Sequence, residues 1–267
     1  MRLHLFHVDA FAPQVFRGNP AAVVPLEAWL PDVTLQAIAA ENQLAETAFF
    51  IPAGAGADVD YQLRWFTPVV EVDLCGHATL ATAHVLYRHL GWTADRVRFS
   101  SRSGTLETLR DGDRLALDFP ARPGTPSQVS PELIAALGAK PQEVWVARDL
   151  MAVLGTEDEV RGLTPDLAGI TGLDAFAVIV TAPGAQVDFV SRFFAPRAGI
   201  PEDPVTGSSH CTLIPYWAHR LGRRELRALQ VSARGGELFC RHVPGSAGDR
   251  VSIGGHAVTY LEGTITL

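Results

Sequence analysis

The chain carries one pattern twice. Trp65-Phe66-Thr67-Pro68, an acidic loop, Gly76-His77 and a helix-forming run that stops before Gly91 match Phe193-Phe194-Ala195-Pro196, an acidic loop, Gly207-Ser208 and a helix-forming run that stops before Gly222. Gly76 to Gly91 and Gly207 to Gly222 are both 15 positions apart, and the first acidic loop is shorter by three. Two related halves, each with a strand, a loop and a helix start, predict a pseudo-symmetric molecule with its ligand held between the halves, where pockets commonly form. At 267 residues, 47% hydrophobic and 19% charged, the chain can fill two modest cores.

The same reading sets the boundaries. Pro120 to Pro131, PARPGTPSQVSP, has the composition of a linker. It divides an N-terminal lobe, residues 1–120, from a C-terminal lobe, residues 131–267, whose last strand is free to return to the first lobe. Strand patterns outnumber long helices, with one long helix candidate per half. This predicts an α+β fold in which each lobe is a mostly antiparallel sheet wrapped on a central helix, and argues against a parallel doubly wound sheet. Locally, Asp32 reads as the cap of a helix over 33–42, and Pro215 should kink or shorten the second long helix.

Composition removes several function classes. A net charge of -7 without a Lys/Arg cluster argues against nucleic acid, which needs a concentrated positive face. MRLHLFHVDAF reads as a strand rather than a signal peptide, and no apolar run reaches the ~20 residues a membrane span requires. The protein is expected to be soluble and cytoplasmic. Cys75, Cys211 and Cys240 are odd in number and contain no CxxC, and the nine histidines form no paired ligand motif, so neither a disulfide framework nor a metal is expected. The one lysine, Lys140, falls in a loop pattern, which argues against a Schiff-base cofactor such as pyridoxal phosphate. No cofactor is predicted.

Three stretches can carry chemistry. IPEDPVTGSSH, Ile200 to His210, sets two acids and a Gly-Ser pair at a helix start, where free N–H groups and the positive end of the helix dipole favour a carboxylate or another anion. The bland alternative is a Pro-terminated loop with a Ser or Thr cap. Glu46 opens an apolar strand, where burial would raise its pKa and suit it to general acid/base work, or it is a solvated strand-edge glutamate. His77 is a hydrogen-bond donor to a ligand or merely the first residue of a helix. Cys75 is an activated thiol at a helix start or a small buried filler.

Taken in order, these stretches resemble the phenazine-biosynthesis isomerase (PhzF-like) family, which shares the diaminopimelate epimerase fold. The resemblance runs over nearly the whole chain. It rests on VDAF with GNPAAVV (Gly18 to Val24), ENQLAETAFF (Glu41 to Phe50), FTPVVEVDLCGHATLA (Phe66 to Ala81), IPEDPVTGSSH and the closing IGG (Ile253 to Gly255). It implies that Glu46 is the catalytic residue, with Gly76, His77, Asp203, Gly207 and Ser208 binding substrate. It also implies a homodimer that moves a proton along a small, conjugated cyclic carboxylate without cofactor or metal. Moving such a proton needs a base that can return it and donors for the developing negative charge, and these residue types supply both.

Two rivals remain. A racemase or epimerase of the same fold would place a thiol at each helix start. Cys75 fits the first half, but Thr206 or Pro204 stands at the second, and Cys211 lies a turn inside the helix. A non-catalytic small-acid-binding protein would keep the anion sites but would not need a proton carrier at Glu46.

Overall fold

A computed structural model describes residues 1–267 as two compact units, Met1–Asp118 with Gly254–Leu267, and Phe119–Ile253. Each unit is a mixed, mainly antiparallel sheet built round one long buried helix. No helix is long and apolar enough to cross a membrane.

The first unit opens with β1 (Arg2–Ala10) and β2 (Asn19–Pro25), antiparallel, with Asp9 opposite Pro20. Gly18 makes their turn at φ 67°, and a Cβ there would lie 2.1 Å from the Ala10 carbonyl oxygen, so only glycine fits. Helix α1 (Asp32–Asn42) leads to β3 (Glu46–Pro52), which lies parallel to β2 with Glu46 opposite Ala21. The first residue outside this helix is Pro31 rather than Asp32. Asp32 is already helical, and its carboxylate accepts from Arg64 at 2.9 Å instead of capping the backbone. Leu35, Ile38 and Ala39 of α1 pack on Ala22, Val24, Phe49, Ile51 and Phe66. Each fully buried Leu, Ile or Phe of this kind contributes about 1.5–3 kcal/mol.

Strand β4 (Tyr61–Phe66) pairs with β3 and carries the short β5 (Glu71–Val72). Helix α2 (Gly76–Arg88) follows and returns the chain to β6 (Arg96–Ser101), parallel to β4, with β7 (Gly104–Asp111) and β8 (Arg114–Pro120) completing a meander. Every residue of α2 from His77 to Leu86 is buried, so this helix is the unit's axis rather than its surface. On the other edge, the C-terminal strand Ala257–Thr266 pairs antiparallel with β1 over its whole length. Residues 254–267 thus belong to the unit that holds the N-terminus.

The second unit starts at Phe119, and the Pro-rich segment read as a linker is part of it. Within that segment β9 (Thr125–Ser127) pairs with β10 (Glu143–Val146), because Thr125 and Ser127 flank Pro126 and leave the ladder to form around it. Between them lies α3 (Pro131–Leu137), capped by Ser130. Then come β11 (Leu150–Val153), α4 (Glu157–Gly162), α5 (Leu167–Gly172), β12 (Val178–Pro183) and β13 (Phe189–Phe194). Helix α6 (Gly207–Leu221) leads into β14 (Glu225–Gln230), β15 (Gly236–Val243) and β16 (Arg250–Gly255).

The pairing of this unit repeats that of the first. β11 and β12 are parallel as β2 and β3 are; β12 and β13 are antiparallel as β3 and β4 are; β13 and β14 are parallel across α6 as β4 and β6 are across α2. The repeated motif is therefore a repeated topology, with Gly76 and Gly207 at equivalent helix starts.

Pro215 does not break α6, which runs through it from Gly207 to Leu221. Proline leaves the carbonyl four residues earlier without its N–H partner. That carbonyl, on Cys211, accepts from the Arg122 backbone N–H at 2.8 Å. The lost hydrogen bond is replaced from outside the helix, and the helix is not shortened at Pro215.

Candidate active site

In the first unit three elements bring their starts together. Gln43, at φ 52°, ends α1 in the left-handed conformation, and the Asn42 amide donates to the Thr47 hydroxyl at 3.0 Å. These two contacts fix the entry into β3 and hence the place of Glu46, its first residue. Opposite Glu46 is Ala21, next to Pro20, whose carbonyl faces the His77 ring at the start of α2. The GNPAAVV, ENQLAET and CGHATLA stretches thus meet at one place.

The result is a buried polar cluster. His77 Nε2 lies 3.2 Å from Glu46 Oε2, with side-chain exposures of 7% and 12%, so both groups are largely cut off from bulk water. The distance is that of a hydrogen bond, but the two atoms are not aligned for a full one. Burial pushes His77 down to about 3, against a weaker opposing effect from Pro20. His77 is therefore neutral at pH 7, and its contact with Glu46 is polar rather than ionic. Its Nδ1 lies 3.5 Å from Cys75 Sγ.

Cys75 stands immediately before the helix with extended backbone, and its carbonyl accepts from the Thr79 N–H and hydroxyl at 3.2 and 2.6 Å. Glu46, Cys75 and His77 each offer one ligand atom within 4.8 Å of the others, a donor set that could hold a cation. The first N–H groups of α2, beginning at Gly76, have no partners within the helix and point their dipole at this cluster.

In the second unit the equivalent helix start is braced differently. The Thr206 hydroxyl donates to Asp203 Oδ2 at 2.5 Å. Gln230, wholly buried on β14, accepts from the Thr206 N–H at 2.9 Å and donates to the Asp203 carbonyl and the Thr206 hydroxyl at 2.8 and 3.1 Å. Asp203 is thereby locked four positions before the first residue of α6. Ser208, on the first turn, accepts from Arg148 Nη2 at 3.2 Å, and Arg148 is in turn held by both oxygens of buried Asp149 at 3.0 and 2.8 Å. A guanidinium beside a helix start strengthens its pull on an anion.

The structure brings together Glu46, Gly76 and His77 in one unit, and Asp203, Gly207 and Ser208 in the other. Sequence reasoning missed Gln230 and Arg148. Cys211 points to no such cluster: it is buried within α6, and burial pushes its thiol up to about 11 despite the charges of Arg122 and Arg148. Only the first helix start carries a thiol.

The chain is similar to known proteins over its full length. The family described as PhzC-PhzF, phenazine biosynthesis-like protein, matches residues 8–263. An "uncharacterized isomerase" of Pseudomonas aeruginosa is 51% identical over 267 residues, all of both chains. The crystal structure of a phenazine biosynthesis protein of the PhzF family from Enterococcus faecalis superposes with a TM-score of 0.95 at 47% identity, covering all of both chains. A hydroxyproline epimerase from Agrobacterium vitis shares the fold alone, with a TM-score of 0.62 at 11% identity over 100% of this chain and 93% of that one. A five-motif match in order, a duplicated α+β topology and full-length similarity at half identity converge: the chain belongs to the phenazine biosynthesis-like (PhzC-PhzF) family and is an isomerase of the PhzF type.

Proposed function

We propose that the protein shifts a proton on a small carboxylate-bearing, conjugated cyclic substrate, with Glu46 as the one group that removes and returns it. The observation that carries this reading is the buried Glu46 carboxyl 3.2 Å from a neutral His77 at the start of α2. An imidazole held neutral at pH 7 is a poor proton acceptor, which favours the carboxyl as the proton carrier and His77 as a hydrogen-bonding neighbour. Glu46 takes the proton from a carbon conjugated with the substrate carboxylate. The electron pair left behind spreads into the conjugated system, and the same carboxyl then delivers the proton to another carbon of that system. Atoms and charge balance without an added cofactor. The N–H groups at Gly76 and His77 hold developing negative charge. In this reading Asp203, Gly207 and Ser208 are substrate-binding residues, with Arg148 adding a cation at Ser208. The chain works as a homodimer in this reading.

The test is exchange of substrate carbon-bound hydrogen with deuterated water, followed by proton NMR over a panel of small unsaturated and cyclic carboxylates without added cofactor. Glu46→Gln keeps the shape and removes the titrating group, and should lower exchange by at least a thousandfold while leaving ligand affinity within a few-fold. Cys75→Ala should retain much of the exchange. An essential Cys75 with a dispensable Glu46 would move the chemistry to a thiol mechanism.

A further inference from the structure

The opposite end of α2 holds a second cluster that the isomerase reading does not use. Arg88 closes the helix, and across from it the β7–β8 hairpin supplies Arg110 and Arg114 around a recess of about 70 Å³, with Tyr87 and His84 in its wall and Asp113 at its rim. Arg88 is eleven positions along the helix from His77, about 16 Å along the axis, so this recess is distinct from the Glu46 cluster.

The charges in it are unevenly matched. Arg114 is paired with Asp111 at 2.9 Å, and exposed Asp113 faces His256 at 3.6 Å. Neither Arg88 nor Arg110 has a carboxylate within ion-pair distance; Arg110 lies instead over the Tyr87 ring, 5.7 Å from its centre. Two guanidinium groups without carboxylates thus share one small concavity. The negative end of α2 offsets roughly half a charge, which two full cations exceed. The surplus is felt by a neighbour: His84 is held down at about 4, first by burial and then by the positive charges of His89 and Arg88.

We propose that this recess binds a phosphate group, as the free anion or as a small monoester, through Arg88 and Arg110. Planar guanidinium forks match phosphate oxygens in pairs, and a dianion balances the two unmatched cations. The recess is of a size to take the phosphate and leave any ester substituent in solvent.

Calorimetric titration of the full chain with inorganic phosphate, at constant ionic strength set by chloride, tests this. Phenyl phosphate in a parallel arm separates free phosphate from an ester. Saturable binding is expected, weakened at least tenfold in R88Q/R110Q and unchanged in this component by His77→Asn, which alters only the far end of the helix. Should the double variant lose its native circular dichroism, R110Q alone, on an exposed residue, should still weaken binding about threefold. NMR should show the His84 ring midpoint moving upward as phosphate binds. Equal binding by wild type and R110Q, or an equal response to acetate and chloride, overturns the proposal. The readout is binding alone, so a failed isomerase assay leaves it intact, and its own failure does not touch the Glu46 mechanism.

Discussion

His77 and His84 sit on one helix, both buried, and burial lowers both, so both oppose protonation of the native state, and His77 bears on the chemistry as well. At His77 the neutral ring lies against the Glu46 carboxyl, which is its bearing on the chemistry. At His84 the ring Nε2 meets the Thr259 hydroxyl at 3.0 Å, tying α2 to the C-terminal strand. Its value of about 4, against 6.5 when unfolded, makes it a stability group. Between these values the unfolded chain takes up a proton that the native ring refuses. Stability from this source is therefore complete above about pH 6.5 and is lost as pH falls towards 4, by about 3 kcal/mol if the full shift is realised. His84→Gln keeps a hydrogen-bonding group without the titration. Urea unfolding at pH 7 and pH 4.5 should show a smaller acid loss in that variant, and an unchanged loss would assign the acid sensitivity elsewhere.

At the level of elements, the second helix start depends on a residue from another strand. Gln230 satisfies the buried Thr206 N–H and holds Asp203 through its carbonyl. Gln230→Leu leaves that N–H unpaired and should cost about 1–3 kcal/mol of stability. It should also weaken substrate binding more than Gln230→Glu does, measured by thermal melting and by ligand titration. Sequence showed the helix starts because glycine, proline and the small polar residues act on the backbone where they stand, as at Gly76 and Gly207. Gln230 and Arg148 did not announce themselves, since each gains its role from a partner 24 or 60 positions away. That α6 runs on past Pro215 was hidden for the same reason: the Arg122 N–H that pairs with the Cys211 carbonyl comes from a stretch that reads as linker. The Asp32 cap was a local signal overridden by a distant one, the Arg64 side chain.

Over the whole molecule, the duplicated topology is completed in the first unit only by the last strand of the chain. Arg2 pairs with Thr266 and Ala10 with Ala257, and the termini meet directly: the Met1 amino group donates to the Leu267 carbonyl at 2.7 Å, and the Leu267 N–H to the Met1 carbonyl at 2.9 Å. The contacts matter to the fold, whereas the order in which the chain visits them does not. The loop over 54–58 is exposed and lies between the paired strands β3 and β4. A circular permutant that joins Leu267 to Met1 through a short Gly-Ser linker and opens between Ala55 and Gly56 should therefore fold, because it removes no buried contact and alters only loop-closure entropy, a cost of about 1–2 kcal/mol. A chain truncated after Gly255 loses the whole β1 ladder on that side, exposes a long sheet edge and should aggregate or unfold. Melting temperature and solvent hydrogen exchange of the β1 amides distinguish the two. A truncated chain that melts like the intact protein, or a permutant that fails to protect β1, would show that the terminal strand is an appendage and not a part of the first unit's sheet.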